Sequence, residues 1–215
     1  MNHSGRNVAT HWRGVGAIAL AMIWTKGSAF TVPIASGTPK EIYLQVGVGT
    51  FTGHLNAGGT PGNNTTVNTA SVSVPATSVG NGTAQTLTTN STVGASSWDG
   101  YVFCNTPAQM YIGGFYRSTT GNNVATVTAT VPSSLVNTSG DQIPFSSLSW
   151  TSSGNGDTGT QPFPAGTFVR GSVQTVGFIS QNQWAESCWT FSYANSTVPP
   201  QGTYKGTVLF TMTAP

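Results

Sequence analysis

Residues 40–52 read KEIYLQVGVGTFT, and within them Ile42, Leu44, Val46 and Val48 occupy alternate positions. A period of two places these four side chains on one face of an extended strand, where a helix would scatter them around its axis. Similar runs, bounded by Gly, Asn, Pro or Ser, recur at Val67 to Pro75, Gln85 to Thr92, Tyr101 to Cys104, Ala108 to Tyr116, Val124 to Val131, Phe168 to Ile179, Cys188 to Tyr193 and Thr203 to Thr213. About nine short strands separated by turn signals predict an all-β fold, a single β-sandwich, with no linker that divides the chain. No internal repeat is visible.

Composition agrees. Of 215 residues, 7 are Lys or Arg and 5 are Asp or Glu, so 6% are charged, against about 25% in an average globular domain. The chain also holds 27 Gly, 12 Pro and 34 Thr, all of which penalise helix interiors. Its 37% apolar fraction and 22 aromatic residues are enough to build a core, which sets it apart from disordered sequences.

The first 29 residues are predicted to be a secretory signal peptide. Arg6 and Arg13 precede a short apolar run, VGAIALAMIW over 15–24, and the small residues Gly27, Ser28 and Ala29 follow it. The run is too short to span a bilayer. Cleavage after Ala29 leaves 186 residues with four cations against five acids, a net charge of −1. The precursor's excess of cations then goes with the signal, and no basic patch remains to neutralise phosphates, which argues against nucleic-acid binding. In an exported chain the two cysteines, Cys104 and Cys188, read as one disulfide, the other reading being two buried thiols.

Little in the sequence points to catalysis, a metal or a cofactor, and no enzyme activity is expected. Acids are scattered at Glu41, Asp99, Asp141, Asp157 and Glu186, and His54 is the one imidazole after residue 29. Neither a paired-carboxylate glycosidase nor a serine hydrolase has a recognisable motif, and a hydrolase using His54 or two acids is the weakest rival. Gly154 to Gly159 matches the spacing Gly-x-Gly-x-x-Gly, but Pro162 and Pro164 follow, so no helix receives a pyrophosphate there. Residues 57–64, 119–123 and 152–166 read as surface loops. After residue 29, six Asn-x-Ser/Thr matches, at Asn63, Asn64, Asn81, Asn90, Asn137 and Asn195, are expected by chance in so Asn- and Thr-rich a chain. Trp98, Tyr101, Phe103, Tyr111, Phe115, Tyr116, Trp150, Trp184 and Trp189 are expected mainly in the core. A sugar-stacking face, as in a carbohydrate-binding tip adhesin, is the alternative use of such rings.

The stretch from Gly202 to Thr213 (GTYKGTVLFTMT) sets Val208, Phe210 and Met212 on one face. It resembles the last strand of chaperone-usher fimbrial subunits, in particular the alternate (alpha) colonisation-factor class. Glu41 to Val48 (EIYLQVGV) is similar to the donor strand of those pilins, and Leu135-Val-Asn137, Ile143-Pro144-Phe145 and Ser149-Trp150 look like a further run of the family. The length after residue 29 and the wide spacing of Cys104 and Cys188 depart from the common pattern.

That resemblance implies an immunoglobulin-like sandwich that lacks a strand. Residues 30–52 would form an N-terminal extension carrying the donor strand, with Ile42, Leu44, Val46 and Val48 entering the groove of the next subunit. Residues 53–215 would form the sandwich, its groove lined by Tyr204, Val208, Phe210 and Met212 of the last strand. The implied partners are identical or related fimbrial subunits, a periplasmic chaperone, an outer-membrane usher and host or surface glycans, with export through the periplasm to the cell surface. Burying four donor side chains at about 1.5–3 kcal/mol each offers roughly 6–12 kcal/mol before ordering costs. Against the donor role, 40–52 also reads as the domain's own first strand; a shorter alternation at Phe30, Val32 and Ile34 is the weaker donor, because Pro33 removes a backbone N–H.

Overall fold

The computed structural model describes residues 31–154 and 159–215. The signal segment lies outside the described residues, as does the middle of the Gly154 to Gly159 run. Along the chain run β1 (Thr31–Pro33), β2 (Glu41–Val46), β3 (Phe51–Thr52), β4 (Thr60–Pro61), β5 (Ala70–Ser71), β6 (Gln85–Thr86), β7 (Thr88–Thr89) and β8 (Met110–Arg117). There follow β9 (Val124–Thr130), β10 (Ser134–Val136), β11 (Gln142–Pro144), β12 (Leu148–Ser153), β13 (Gly166–Thr167), β14 (Val173–Ser180), β15 (Gln183–Tyr193) and β16 (Leu209–Thr213). Among the described residues helix is confined to two single turns of 3-10 type, at Leu55–Ala57 and Phe145–Ser147.

The expected all-β sandwich is what the chain forms. One sheet runs β13-β12-β15-β8-β2, with β1 and β6 also paired to β15; the other runs β14-β9-β16. All pairings are antiparallel, which suits sheets with one face buried and one wet. Between the sheets lies a single core: Ile112 and Tyr116 of β8, Trp150 of β12 and Trp189 and Phe191 of β15 meet Val127 of β9, Ile179 of β14 and Met212 of β16. Within it the Trp150 ring packs at a tilt against Phe168 and Trp189, with ring centroids 4.7 and 5.1 Å away. The eleven-residue β15 is the spine, because every long strand of the larger sheet except β2 is hydrogen-bonded to it.

A second cluster covers the opposite face of the larger sheet. Phe103, Tyr111, Phe115 and Trp184 gather there around the Cys104–Cys188 disulfide, so the predicted bridge forms, with its Cα atoms 5.5 Å apart. With both faces buried, β15 loses the alternation of a half-wet strand and keeps six consecutive positions out of water, Trp184 to Trp189.

Several expectations need correction. The strand expected over 40–52 runs only from Glu41 to Val46, because Gly47 takes φ +67° and turns the chain, so Val48 lies beyond it. Val67 to Pro75 and Gln85 to Thr92 form only two-residue strands, and Tyr101 to Cys104 contributes one isolated bridge, Val102 to Ala95. Thr203 to Thr213 is a strand only from Leu209; Lys205 instead makes an isolated bridge to Val136. The 152–166 loop is anchored from inside: Phe163 is fully buried, and its carbonyl accepts from the Trp189 indole and the Ser152 hydroxyl.

Candidate functional site

At one side of the sandwich the larger sheet ends in β2 and the smaller in β16. The two strands pack side by side, yet no ladder joins them among the described residues. Lys40 spans the gap, its Nζ donating to the Pro215 carbonyl at 2.5 Å. Each strand is paired on one edge only, β2 to β8 and β16 to β9. Among the described residues the outer edge of neither strand has a ladder partner, although on β2 the Val46 carbonyl accepts from the Asn68 amide; an unpaired edge is the feature that sheets elsewhere cover or block.

β2 is hydrogen-bonded into the chain's own sheet: Ile42 pairs with Tyr116, Leu44 with Gly114 and Val46 with Ile112. Its place as folded is that of the domain's own edge strand. Leu44 and Val46 pack against the main core, whereas Ile42 is 46% exposed. The other face of β2 is covered as well, for Tyr43 joins the second cluster and Gln45 is buried under Tyr43 and Ser97. Burial on both faces was not legible from the polar Gln45, whose amide is satisfied by the Gly47 carbonyl.

Of the last-strand residues, Met212 enters the core and Phe210 packs on Trp189, with ring centroids 5.8 Å apart. Val208 and Tyr204 pack against the same core from the irregular segment before β16, and the Tyr204 hydroxyl donates to the Pro200 carbonyl at 2.7 Å. The four therefore line one side of the core beside the open edge, two from a strand and two from the approach to it. Leu135 and Ile143 face each other across the β10–β11 hairpin.

Beneath the second cluster lies a buried polar group that the sequence did not single out. Glu186 is fully buried; its carboxylate accepts from the Ser96 hydroxyl at 2.5 Å and from the Tyr111 hydroxyl. Burial pushes its carboxyl above the ordinary value, and the two hydroxyl donors pull it partly back. The Tyr111 hydroxyl is raised well above its ordinary value, by burial first and by the Glu186 charge second. Ser96 passes the connection on by accepting from the Trp98 N–H at 3.0 Å. The loop from Gly94 to Cys104 is thereby fixed by a carboxylate at one point and a disulfide at another.

That loop meets the His54 turn, where the Leu55 and Asn56 N–H groups donate to the Ser97 and Trp98 carbonyls. His54 lies exposed against Gly100, whose φ of +79° and close approach leave no room for a side chain. Among the described residues no three His, Cys, Asp or Glu side chains gather as a metal site. Of the nine aromatic residues considered for stacking on sugars, Tyr101 is largely exposed and Trp98 half-buried, and the rest are buried. Among the described residues no helix is long and apolar enough to cross a membrane.

No family model and no curated protein matches this sequence.

Proposed function

We propose that the chain is a non-enzymatic structural subunit of a fimbria-like filament on a bacterial surface, in which one copy completes the next by strand addition. The observation that carries this reading is the pair of unjoined strand edges, β2 and β16, side by side at one end of two packed sheets. An edge strand with free backbone groups and apolar neighbours is the acceptor that strand addition requires. Phe210, Val208 and Tyr204 give that edge its apolar flank.

Residues 30–52 of a neighbouring copy are the donor in this proposal. Ile42, Leu44, Val46 and Val48 supply the side chains once β2 exchanges out of its own sheet. β1 is the lighter alternative, as three residue pairs hold it to β15. A periplasmic chaperone and an outer-membrane usher would shield the edge and direct the exchange, and contact with host or surface glycans would follow at the cell surface.

The test is to express the chain in a bacterial envelope, shear the cell surface and analyse the released protein without heating. Multimers that survive detergent and collapse to monomer on boiling are expected. Ile42 is exposed in the subunit, so Ile42→Asp leaves the monomer folded; it should strongly reduce the multimers if β2 donates. Loss in Val32→Asp alone would move the donor role to β1, and a sheared fraction holding only monomer would overturn the proposal.

A further inference from the structure

The outer face of the smaller sheet carries four cross-strand rows. Antiparallel register aligns Val173, Thr130 and Leu209 in one row, Thr175, Thr128 and Thr211 in the next, Phe178, Thr126 and Thr213 in the third, and Ser180 with Val124 in the last. The intervening β9 residues Ala125, Val127 and Ala129 point into the core, which fixes the direction of the others. None of the eleven residues is charged. Four are large hydrophobics held in water: Leu209 is 63% exposed, Val173 65%, Phe178 58% and Val124 44%. These make up four of the twelve exposed large hydrophobics of the described residues, gathered on three strands.

We infer that this face is a self-association surface whose partner is a second copy of the same chain. An uncharged face meets its own image without like-charge repulsion, so a two-fold, isologous contact is open to it. It offers no cation or acid to an oppositely charged partner. Between the apolar residues, each Thr presents a methyl group and a hydroxyl, which suits face-to-face packing of two sheets about 10 Å apart.

Area decides how strong the contact is. Strands about 4.8 Å apart and rows about 6.7 Å apart make a patch of roughly 350 Å² per copy. Two copies would bury about 700 Å², well below the roughly 1,200–2,000 Å² of a stable complex. Single molecules therefore associate weakly, and the contact becomes firm only where many copies are held in an array. If strands add at β16 as proposed above, each added strand widens the same face. Only this placement in an array rests on the filament reading; the contact itself does not.

Amide spectra of the soluble, disulfide-bonded chain over a micromolar to millimolar series test it. The expected result is that amides of β9, β14 and β16 shift together as concentration rises, with little dependence on salt. Phe178→Lys and Leu209→Glu, both at largely exposed positions, should each weaken the association about tenfold or more while leaving thermal melting unchanged. Spectra that do not depend on concentration, shifts mapping to another surface, or variants of unaltered affinity would overturn the inference. So would a soluble oligosaccharide that binds this face of a chain showing no self-association. Self-association in the soluble chain without detergent-stable multimers on cells would keep this surface and discard the filament.

Discussion

Glu186 is the one charged side chain in the buried interior of the described residues, so its protonation is coupled to folding. Its carboxyl is raised in the folded state by burial, so below the ordinary carboxyl range folded and unfolded chains are both protonated and nothing is lost. As pH rises from there through the folded value, the unfolded chain releases its proton more readily and stability falls, by at most about 1.4 kcal/mol per pH unit. Urea unfolding of the native chain and of Glu186→Gln between pH 4 and pH 8 should show the native chain losing stability relative to the variant as pH rises. A constant difference would mean that the two hydroxyl donors fully offset burial. Glu186→Ala is a different perturbation, since it leaves the buried Ser96 and Tyr111 hydroxyls without their acceptor. It should cost about 1–3 kcal/mol at every pH.

At the level of elements, the junction of β2 with β8 rests on Gly113 and Gly114. A side chain at Gly114 would place its Cβ 2.1 Å from the Tyr43 carbonyl oxygen, a backbone atom that cannot swing away. Gly114→Ala therefore has to push β2 off β8, and a loss of about 1–3 kcal/mol is expected in urea unfolding. Faster hydrogen exchange at the β2 amides than elsewhere in the sheet would locate the damage. Unchanged stability would show that the strands absorb the shift by twisting. The same pair is tied at its other end by Arg117, 3.3 Å from Glu41 and 5.0 Å above the Phe115 ring. That ion pair is partly exposed to water and adds little. Period-two alternation identified the long strands β8, β9 and β14 and the greater part of β15, because their side chains face one core. It overran at β2 and β16, where Gly47 and the Lys205 bridge end the pairing before the alternation does. It overlooked β12, whose sequence LSWTSS carries a single large apolar residue.

For the whole molecule, the disulfide joins positions 84 residues apart and ties the Gly94 to Cys104 loop to the spine strand. Chain-entropy arguments give such a closure roughly 4–4.5 kcal/mol, a large part of the stability of a single domain. Both cysteines are buried, so a reductant should act only on opened molecules. Unfolding with reductant present should shift to lower denaturant by about that energy; an unmoved midpoint would show that the second aromatic cluster holds the loop without the bond. Sequence alone determined the all-β class, the scarcity of charge and the pairing of the only two cysteines, because composition and a period of two depend on neighbours along the chain. Tertiary structure decided which strands lie at the edges, that the larger sheet is covered on both faces, that Glu186 and Phe163 are interior, and that eleven uncharged residues from three strands form one surface. Each of those facts depends on register between segments far apart in the chain, and the alternation within one strand carries no information about its partner.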